Sequence, residues 1–188
     1  MLIKRSFDLI LSVILTFTLL LPLLLIASAI KLSSNGPILY ISNRIGRRNT
    51  HFKMYKFRTM KTNTPPIATH LLDNPAQYVT HIGRLLRMTS LDELPQLWNI
   101  VKGDMSFVGP RPALFNQNDL IRLRTAKGIH ELVPGLTGWA QINGRDELAI
   151  PVKVEFDDFY RQHQSFLFDM QIIIMTFIKT IKKEGVSH

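Results

Sequence analysis

The sequence predicts an α/β fold that is mostly helical and forms a single membrane-associated domain. Three observations support this prediction. A length of 188 residues suits one domain. An apolar segment occupies residues 9–30, and no residue in it is charged. The remainder alternates short strand-like segments with helical segments and turns. We therefore expect residues 1–32 to insert into a membrane and residues 33–188 to form the compact part.

The composition excludes several classes of protein. Apolar residues make up 46% of the chain, too many for a disordered protein. There is no cysteine, so disulfides, thiolate zinc sites and a cysteine nucleophile are excluded. Neither the glycine-rich dinucleotide fingerprint nor the P-loop pattern occurs, and the histidines lack the spacing of zinc ligands.

Positive charge is concentrated next to the apolar segment. The net charge is +9, and no acidic residue lies between Asp8 and Asp73. The basic residues of that interval are Lys31, Arg44, Arg47, Arg48, Lys53, Lys56, Arg58 and Lys61. Such a block either is a solvated basic face or binds polyanions such as nucleic acid, anionic lipid headgroups or phosphorylated substrates. The neighbouring apolar segment favours lipid and phosphate.

Three interpretations of the apolar segment remain open. At about 1.5 Å per residue it is just long enough to cross a ~30 Å hydrocarbon layer as one helix. A cleaved signal peptide is the second interpretation, because Lys4 and Arg5 precede the segment and small residues occupy positions 27–29. The third is a re-entrant hairpin, in which a helix, a break and a second helix return the chain to the same face.

Pro22 and the flanking charges favour the hairpin. Proline removes a backbone hydrogen bond and kinks a helix, so we expect the membrane break at Pro22. Basic residues at both ends of the segment prefer the cytoplasmic side. Nearby hydroxyl groups that can bond backbone freed at a break belong to Ser12, Thr16 and Thr18.

The first half of the remaining chain predicts a hairpin and a helix. We expect strands at 38–42 and 52–57, joined by a turn at 44–49. A proline-containing polar loop should follow at 62–75. Apolar residues at helical spacing then predict a helix from Val79 to the junction at 87–89.

The next helix is the clearest local prediction. Its apolar stripe follows the i, i+3, i+4, i+7 pattern and consists of Leu94, Leu97, Trp98 and Val101. Gly103 should end it. Ser90 and Glu93 resemble a capping box, but that start places Pro95 where it loses a hydrogen bond. A start at Asp92 leaves Pro95 in the first turn and is preferred.

The last third predicts two further strands and three helices. We expect strands at 105–108 and 139–142, with turns at 109–112, 134–138 and 143–144. A polar helix should end near Lys127, before Gly128. A second helix presents one face with Val152, Phe156, Phe159 and His163. Residues 166–181 predict a third helix, which is either a core element or an amphipathic helix on a membrane surface.

The candidate chemical groups are carboxylates and arginines. Asp92 and Glu93 form an acidic pair, with Arg87 before it and Arg111 after it. Guanidinium groups bind phosphate oxygens in pairs, so arginines in stiff Gly-Pro turns indicate a phosphate site. An acidic pair that only caps a helix, with arginines in surface ion pairs, is the alternative.

Five segments together resemble the bacterial sugar transferase family, in particular its small monotopic phosphoglycosyl transferases of the PglC-like type. These segments are KFRTM at 56–60, TSLDELPQL at 89–97, KGDMSFVGPRP at 102–112, PGLTGWAQ at 134–141 and NGR at 143–145. They occur in the family's order and cover nearly the whole chain. One departure is Leu21, because many small members have serine before the membrane proline.

The resemblance implies an activity. Members transfer a sugar phosphate from a UDP-sugar to polyprenol (undecaprenyl) phosphate and release UMP, the first membrane step of glycoprotein, O-antigen or capsule biosynthesis. The reaction passes through a covalent aspartyl phosphosugar. The resemblance assigns Asp92 as the nucleophile and Glu93 as a ligand of magnesium (Mg2+). The implied phosphate-binding residues are Lys56, Arg87, Arg111 and Arg145.

The resemblance also implies a location and partners. Residues 33–188 would be the catalytic domain on the cytoplasmic face of the bacterial inner membrane. The expected partners are the UDP-sugar, polyprenol phosphate and membrane lipids, without nucleic acid; the sugar, the polyprenol length and the oligomeric state stay open. From the residues alone, a membrane-tethered module that binds nucleic acid and a secreted protein remain alternatives.

Overall fold

The structure, a computed structural model, describes residues 2–65, 74–144 and 148–182. The described part is mostly helical with two small sheets, as predicted. Its helices are α1 (Leu2–Thr18), α2 (Leu20–Ser33), α3 (His81–Met88), α4 (Gln96–Lys102), α5 (Asn118–Ala126), α6 (Trp139–Ile142), α7 (Ile150–His163) and α8 (Phe166–Lys182). Its strands are β1 (Leu39–Ile45), β2 (His51–Phe57), β3 (Ser106–Val108) and β4 (Gly135–Thr137).

The N-terminal segment is a bent pair of helices, compatible with the predicted hairpin. The bend of 62° lies at Leu19, between α1 and α2. Pro22 is therefore the third residue of α2, where an amide has no partner within the helix, and not the centre of the break. The Thr18 hydroxyl donates to the carbonyls of Ile14 and Leu15 just before the bend.

The apolar length of this segment is divided between the two helices. Among the described residues, no single helix is both long and apolar enough to cross a membrane; by length and composition alone, α1 and α2 together are.

Helix α1 is apolar on its exposed face and buries two polar side chains. Its buried face carries Asp8 and Ser12, and the Asp8 carboxylate accepts a hydrogen bond from the Phe107 amide at 3.2 Å. Lys4 forms an ion pair with Asp169 of α8 at 2.6 Å. Its exposed face carries Leu9, Ile10, Val13, Ile14 and Phe17. Helix α1 thus presents an apolar face outward as well, unlike a helix of a water-soluble protein, whose exposed face is polar.

Both ends of the helix pair are attached to the rest of the fold. Near the start of α1, the Arg5 guanidinium donates to the carbonyls of Ile100 and Val101 at 2.6 and 2.7 Å. Near the end of α2, buried Ile30 packs with Phe57 and Leu86. Just after α2, Arg58 donates to the backbone and side chain of Ser34 and to the carbonyl of Asn35.

The β1–β2 hairpin is longer than predicted. The strands pair antiparallel from Leu39 opposite Phe57 to Ile45 opposite His51. The prediction ended β1 at residue 42 because Arg44 begins a basic turn-like run. That boundary was wrong, because Arg44 continues the ladder and the Ile45 amide also donates to the Ala113 carbonyl. The turn is tighter, with a 3-10 segment at Arg47–Asn49.

Helix α3 lies very close to the chain that follows β2. Thr80 caps its first turn by accepting from the Gly83 amide at 2.9 Å, so the helix begins after Val79 and not at it. A Cβ at Gly83 would lie 2.0 Å from the carbonyl oxygen of Thr59. Only glycine permits this approach. The predicted loop at 62–75 falls partly outside the described residues.

Helix α4 begins later than predicted. Asp92 and Glu93 lie in a 3-10 turn at Leu91–Glu93, and α4 starts at Gln96. Ser90 has a left-handed φ of 57° and makes no capping bond through its side chain, so both predicted starts were wrong. The physical reason is tertiary: Glu93 binds basic side chains instead of a backbone amide. Gly103 ends α4 with a φ of 91°, as expected.

The second sheet corrects two further predictions. Gly135–Thr137, predicted as a turn, is β4 and pairs parallel with β3. Residues 139–142, predicted as a strand, form α6. A Cβ at Gly135 would lie 2.1 Å from the Gly109 amide nitrogen. Glycine therefore marks a close approach of two backbones here, and not a turn.

Helices α5, α7 and α8 complete the core. Helix α7 buries Val154, Asp157 and Tyr160, which is not the face marked in the sequence. On the marked face, Phe159 stacks between Trp139 and His163. Helix α8 matches the prediction for residues 166–181. Its Asp169 and Ile172 are buried, whereas its exposed face carries Leu167, Ile174, Phe177 and Ile178.

Candidate active site

The fold brings four of the predicted site residues together. Lys56, on β2, places its Nζ 2.6 Å from Glu93 Oε1 and 3.9 Å from Asp92 Oδ2. Arg111, in the turn after β3, donates to Glu93 Oε1 from Nη1 and Nη2, each at 3.4 Å. Asp92 is buried, and Glu93 is partly buried. Strand β2 and the turn after β3 thus converge on one acidic pair.

Arg87 approaches the pair from α3. Its Nε donates to the hydroxyl of Thr59 at 3.0 Å. Its charge interacts with Asp92, whereas the closest contacts of Lys56 and Arg111 are to Glu93. Burial lowers the pKa of Arg87, and Asp92 opposes that shift. Because arginine side chains stay protonated in proteins, Arg87 brings a positive charge to Asp92.

The two neighbouring carboxyl groups titrate differently. Burial raises the pKa of Asp92, and the charge of Glu93 adds to the rise against the attraction of Lys56. Burial also opposes ionisation of Glu93, but Lys56 and Arg111 outweigh it and lower the pKa of Glu93 to about 2. Glu93 is therefore a permanent anion, and Asp92 is the more basic of the two carboxylates.

Several residues of the site were missed in the sequence. Thr59 orients Arg87 through its hydroxyl. Arg124 and Asp157 form a buried ion pair behind Arg111, whose carbonyl accepts from Arg124 at 2.8 Å. No local pattern identifies these contacts, because the partners lie far apart in the sequence. The helical spacing of Asp157 with Val154 and Tyr160 is a signal that indicates an inward face. Arg145, also predicted, lies outside the described residues.

The donor set suits a hard cation that also binds substrate phosphate. Within residues 2–65, 74–144 and 148–182, no group of three or more histidine or acidic side chains is arranged to hold a metal ion. Magnesium commonly uses one or two carboxylates and takes its other ligands from water and phosphates. In the described part, the ion pairs of Glu93 end on Oε1, so Oε2 can serve another ligand. Asp92 and Glu93 therefore fit magnesium in the presence of a phosphorylated substrate.

This arrangement can bind and react with a phosphorylated compound. Three cationic side chains surround a buried carboxylate of raised basicity. Cations in such a site stabilise negative charge on phosphate oxygens, and a carboxylate can act as a nucleophile. The described ion pairs of the acidic pair are made by Lys56 and Arg111, and Arg87 acts on Asp92 through its charge.

The sequence is similar to proteins of one known family. The sequence model of the family described as Bacterial sugar transferase matches residues 1–183. The chain is 39% identical to the uncharacterized sugar transferase EpsL of Bacillus subtilis, over 100% of this chain and 92% of that protein. It is 40% identical to the UDP-glucose:undecaprenyl-phosphate glucose-1-phosphate transferase of Escherichia coli, over 95% of this chain and 40% of that protein.

A further relative carries a different sugar in its name. The chain is 36% identical to the UDP-N-acetylgalactosamine-undecaprenyl-phosphate N-acetylgalactosaminephosphotransferase of Aeromonas hydrophila, over 95% of this chain and 43% of that protein. The chain thus spans nearly all of EpsL but less than half of the two relatives named for their reactions.

Replacing Lys56 tests the electrostatics of the pair. In Lys56→Met, we expect the pKa of Glu93 to rise from about 2 towards its ordinary value near 4.5, because its closest cation is removed. A depressed carboxyl pKa stabilises the folded state above pH ~4.5 and loses that effect as the pH falls towards 2. The variant should therefore lose stability mainly at neutral pH. Carboxyl-carbon NMR titration measures the pKa directly.

Lys102→Met is the matched control. The exposed Lys102 pairs with Asp104, at 2.8 Å, and should leave the pKa of Glu93 unchanged. An unchanged Glu93 pKa in Lys56→Met would contradict the electrostatic description of the site.

Proposed function

The chain belongs to the bacterial sugar transferase family, and on that premise we propose that it transfers a sugar phosphate from a UDP-sugar to undecaprenyl phosphate with release of UMP. The names of its longer relatives support this reaction class. The observation that carries the proposal is the position of Asp92, a buried carboxylate of raised pKa surrounded by Lys56, Arg87 and Arg111.

The cations provide the binding site for the donor diphosphate. Lys56 and Arg111 both contact Glu93, and their remaining N–H groups can bind the oxygens of a diphosphate. Guanidinium groups bind phosphate oxygens in pairs, and the lysine adds a point charge. Because Asp92 and Glu93 are not at the start of an α-helix, side chains and not a helix dipole must offset the charge of the substrate.

The reaction proceeds in two displacements. An Asp92 carboxylate oxygen attacks the phosphorus of the sugar-linked phosphate, and the bond from that phosphorus to the bridging oxygen breaks, with its electrons leaving on UMP. A phosphate oxygen of undecaprenyl phosphate then attacks the same phosphorus and releases Asp92. The product is undecaprenyl diphosphate sugar. The raised pKa of Asp92 favours attack, because a more basic carboxylate is a better nucleophile.

Magnesium is the proposed cofactor, held by Glu93 with Asp92 beside it. When bound, it would neutralise charge on the diphosphate and the leaving phosphate. The chain's own residues orient this site: Lys56 and Arg111 fix the Glu93 carboxylate through Oε1.

We also propose that α1 and α2 form a re-entrant hairpin in the cytoplasmic face of the bacterial inner membrane. Two observations support this. Helices α1 and α8 expose apolar faces and bury Asp8 and Asp169, as expected of helices in contact with lipid. Residues near both ends of the helix pair contact the same domain, and the chain bends by 62° between the two helices.

A covalent intermediate on Asp92 is the first expectation. Detergent-solubilised protein incubated with a reactive UDP-sugar alone should release UMP and gain up to one sugar phosphate per chain, which peptide mass mapping should place on Asp92. Asp92→Asn should lose the adduct and reduce turnover by about 1000-fold or more. Because the pKa of Asp92 is raised, adduct formation should decline as the pH falls through that pKa.

Asp104→Asn is the control for this experiment. Asp104 pairs with the exposed Lys102 and should leave adduct formation intact. Release of UMP only when both substrates are present, or substantial turnover by Asp92→Asn, would exclude the double displacement.

Magnesium dependence is the second expectation. Chelation with EDTA should abolish UMP release, and added Mg2+ should restore it. Glu93→Gln should reduce turnover by about 100-fold or more, because stabilisation of charge at the phosphates is lost. Glu155→Gln, on the exposed surface of α7, is the matched control and should behave as the unchanged protein. Full activity in EDTA would remove magnesium from the mechanism.

The hairpin topology gives the third expectation. The chain has no cysteine, so single cysteines at the exposed positions Ser6 and Asn35 can be labelled selectively. Both should react with a membrane-impermeant thiol reagent in inverted vesicles and not in intact cells. Ser165→Cys, exposed before α8, marks the face of the catalytic domain. Labelling of Ser6→Cys or Asn35→Cys from outside intact cells would exclude the hairpin.

A further inference from the structure

We propose that Arg124 is a positioning residue, which orients Arg111 for substrate phosphate by binding the Arg111 carbonyl. This inference rests on the proposed function, because it takes Arg111 as a phosphate ligand. Arg124 lies on α5, and its side chain contacts the backbone of Arg111 instead of the reacting groups.

The guanidinium of Arg124 joins three parts of the fold. Its Nε and Nη2 donate to Asp157 Oδ2 at 2.9 and 2.6 Å. Its Nη1 donates to the carbonyl oxygen of Arg111 at 2.8 Å. Arg124 and Asp157 are 8% and 2% exposed. Because a guanidinium is planar and holds its donors at fixed angles, the carboxylate on α7 determines where Nη1 points.

The segment around Arg111 depends on such carbonyl bonds. Pro110 and Pro112 flank Arg111, and neither has an amide hydrogen to donate. The segment is instead held through three successive carbonyls. Pro110 accepts from the Gly135 amide at 2.9 Å, Arg111 accepts from Arg124, and Pro112 accepts from Arg44 at 3.2 Å. The bond from Arg124 is the one that ends on the residue whose side chain reaches Glu93.

Stability alone gives a weak reason for this buried ion pair. Removing two charges from water costs free energy that their attraction only partly offsets, and apolar residues of similar size often serve as well. Two hydrogen bonds from one planar guanidinium to a single carboxylate oxygen do provide fixed geometry. Near a phosphate site, a shift of about 1 Å in a binding group can reduce the rate by roughly 100-fold. The position of the pair directly behind Arg111 is therefore explained by orientation.

The test measures the effect of Arg124→Lys in the otherwise unchanged protein and in an Arg111→Ala background. Lysine keeps the charge opposite Asp157 but cannot reach the carboxylate and the Arg111 carbonyl with one rigid fork. UMP release is measured with undecaprenyl phosphate and whichever of UDP-glucose, UDP-galactose or UDP-N-acetylgalactosamine the unchanged protein uses best. We expect kcat/KM for the UDP-sugar to fall about tenfold or more in Arg124→Lys. In an Arg111→Ala background, the same substitution should cause no further fall.

Two further variants keep the test decisive. Arg122→Lys, two residues before Arg124 on the exposed side of α5, should leave kcat/KM and the melting temperature unchanged. Asp157→Asn removes the orienting charge and retains the shape, so it should repeat the effect of Arg124→Lys in both backgrounds. This variant carries the test if Arg124→Lys does not fold.

The possible outcomes separate this inference from the proposed function. An unchanged kcat/KM in folded Arg124→Lys, with a large loss in Arg111→Ala, would overturn the positioning role alone. Equal fold-losses from Arg124→Lys in both backgrounds would also overturn it, because the effect would then not act through Arg111. Full activity of Arg111→Ala would overturn the assignment of Arg111 and the inference together. No UMP release from any UDP-sugar by the unchanged protein would overturn the proposed function.

Discussion

The burial of two adjacent carboxylates is the constraint on which the site depends. Asp92 and Glu93 lose much of their contact with water, and two anions at this distance repel each other. The fold meets this constraint by directing cations from three elements towards them. Lys56 comes from the hairpin, Arg87 from α3 and Arg111 from the turn after β3. The hairpin, α3 and the small parallel sheet must therefore assemble around this 3-10 turn before the acidic pair can exist in its buried form.

The same constraint separates the properties of the two carboxylates. Glu93 takes the closest cations and stays ionised, whereas Asp92 keeps a raised pKa. A permanent anion suits a fixed ligand or anchor, and a more basic carboxylate suits nucleophilic attack. Two neighbouring acidic residues can thus take different roles because the cations are shared unequally. The sequence of the Asp92-Glu93 pair alone does not indicate which carboxylate is the more basic.

The sequence predicted which side chains lie beside the acidic pair better than it predicted the local backbone structure. Periodicity and turn residues predicted the mostly helical fold, the hairpin, the end of α4 at Gly103 and the bent N-terminal segment. The resemblance in long motifs predicted Lys56 and Arg111 beside the acidic pair. The start of α4 could not be predicted, because Glu93 forms ion pairs with distant residues instead of capping the helix. Neither could β4, whose glycines reflect backbones in near contact, nor the pair formed by Arg124 and Asp157 on separate helices.

The bonds made by Arg5 have a consequence for how this protein can be divided. Arg5 occupies the terminal carbonyls of α4, the helix that directly follows the acidic turn, while Phe7, Leu11 and Leu15 pack against the main core. Cutting the chain after residue 32 would leave those carbonyls without this partner and open the core along one side. The apolar helix pair is thus part of the protein's internal framework as well as its proposed membrane anchor. A variant that is soluble without detergent would need other residues to make the contacts of the inner face of α1. It would also need polar residues in place of the exposed apolar residues of that helix.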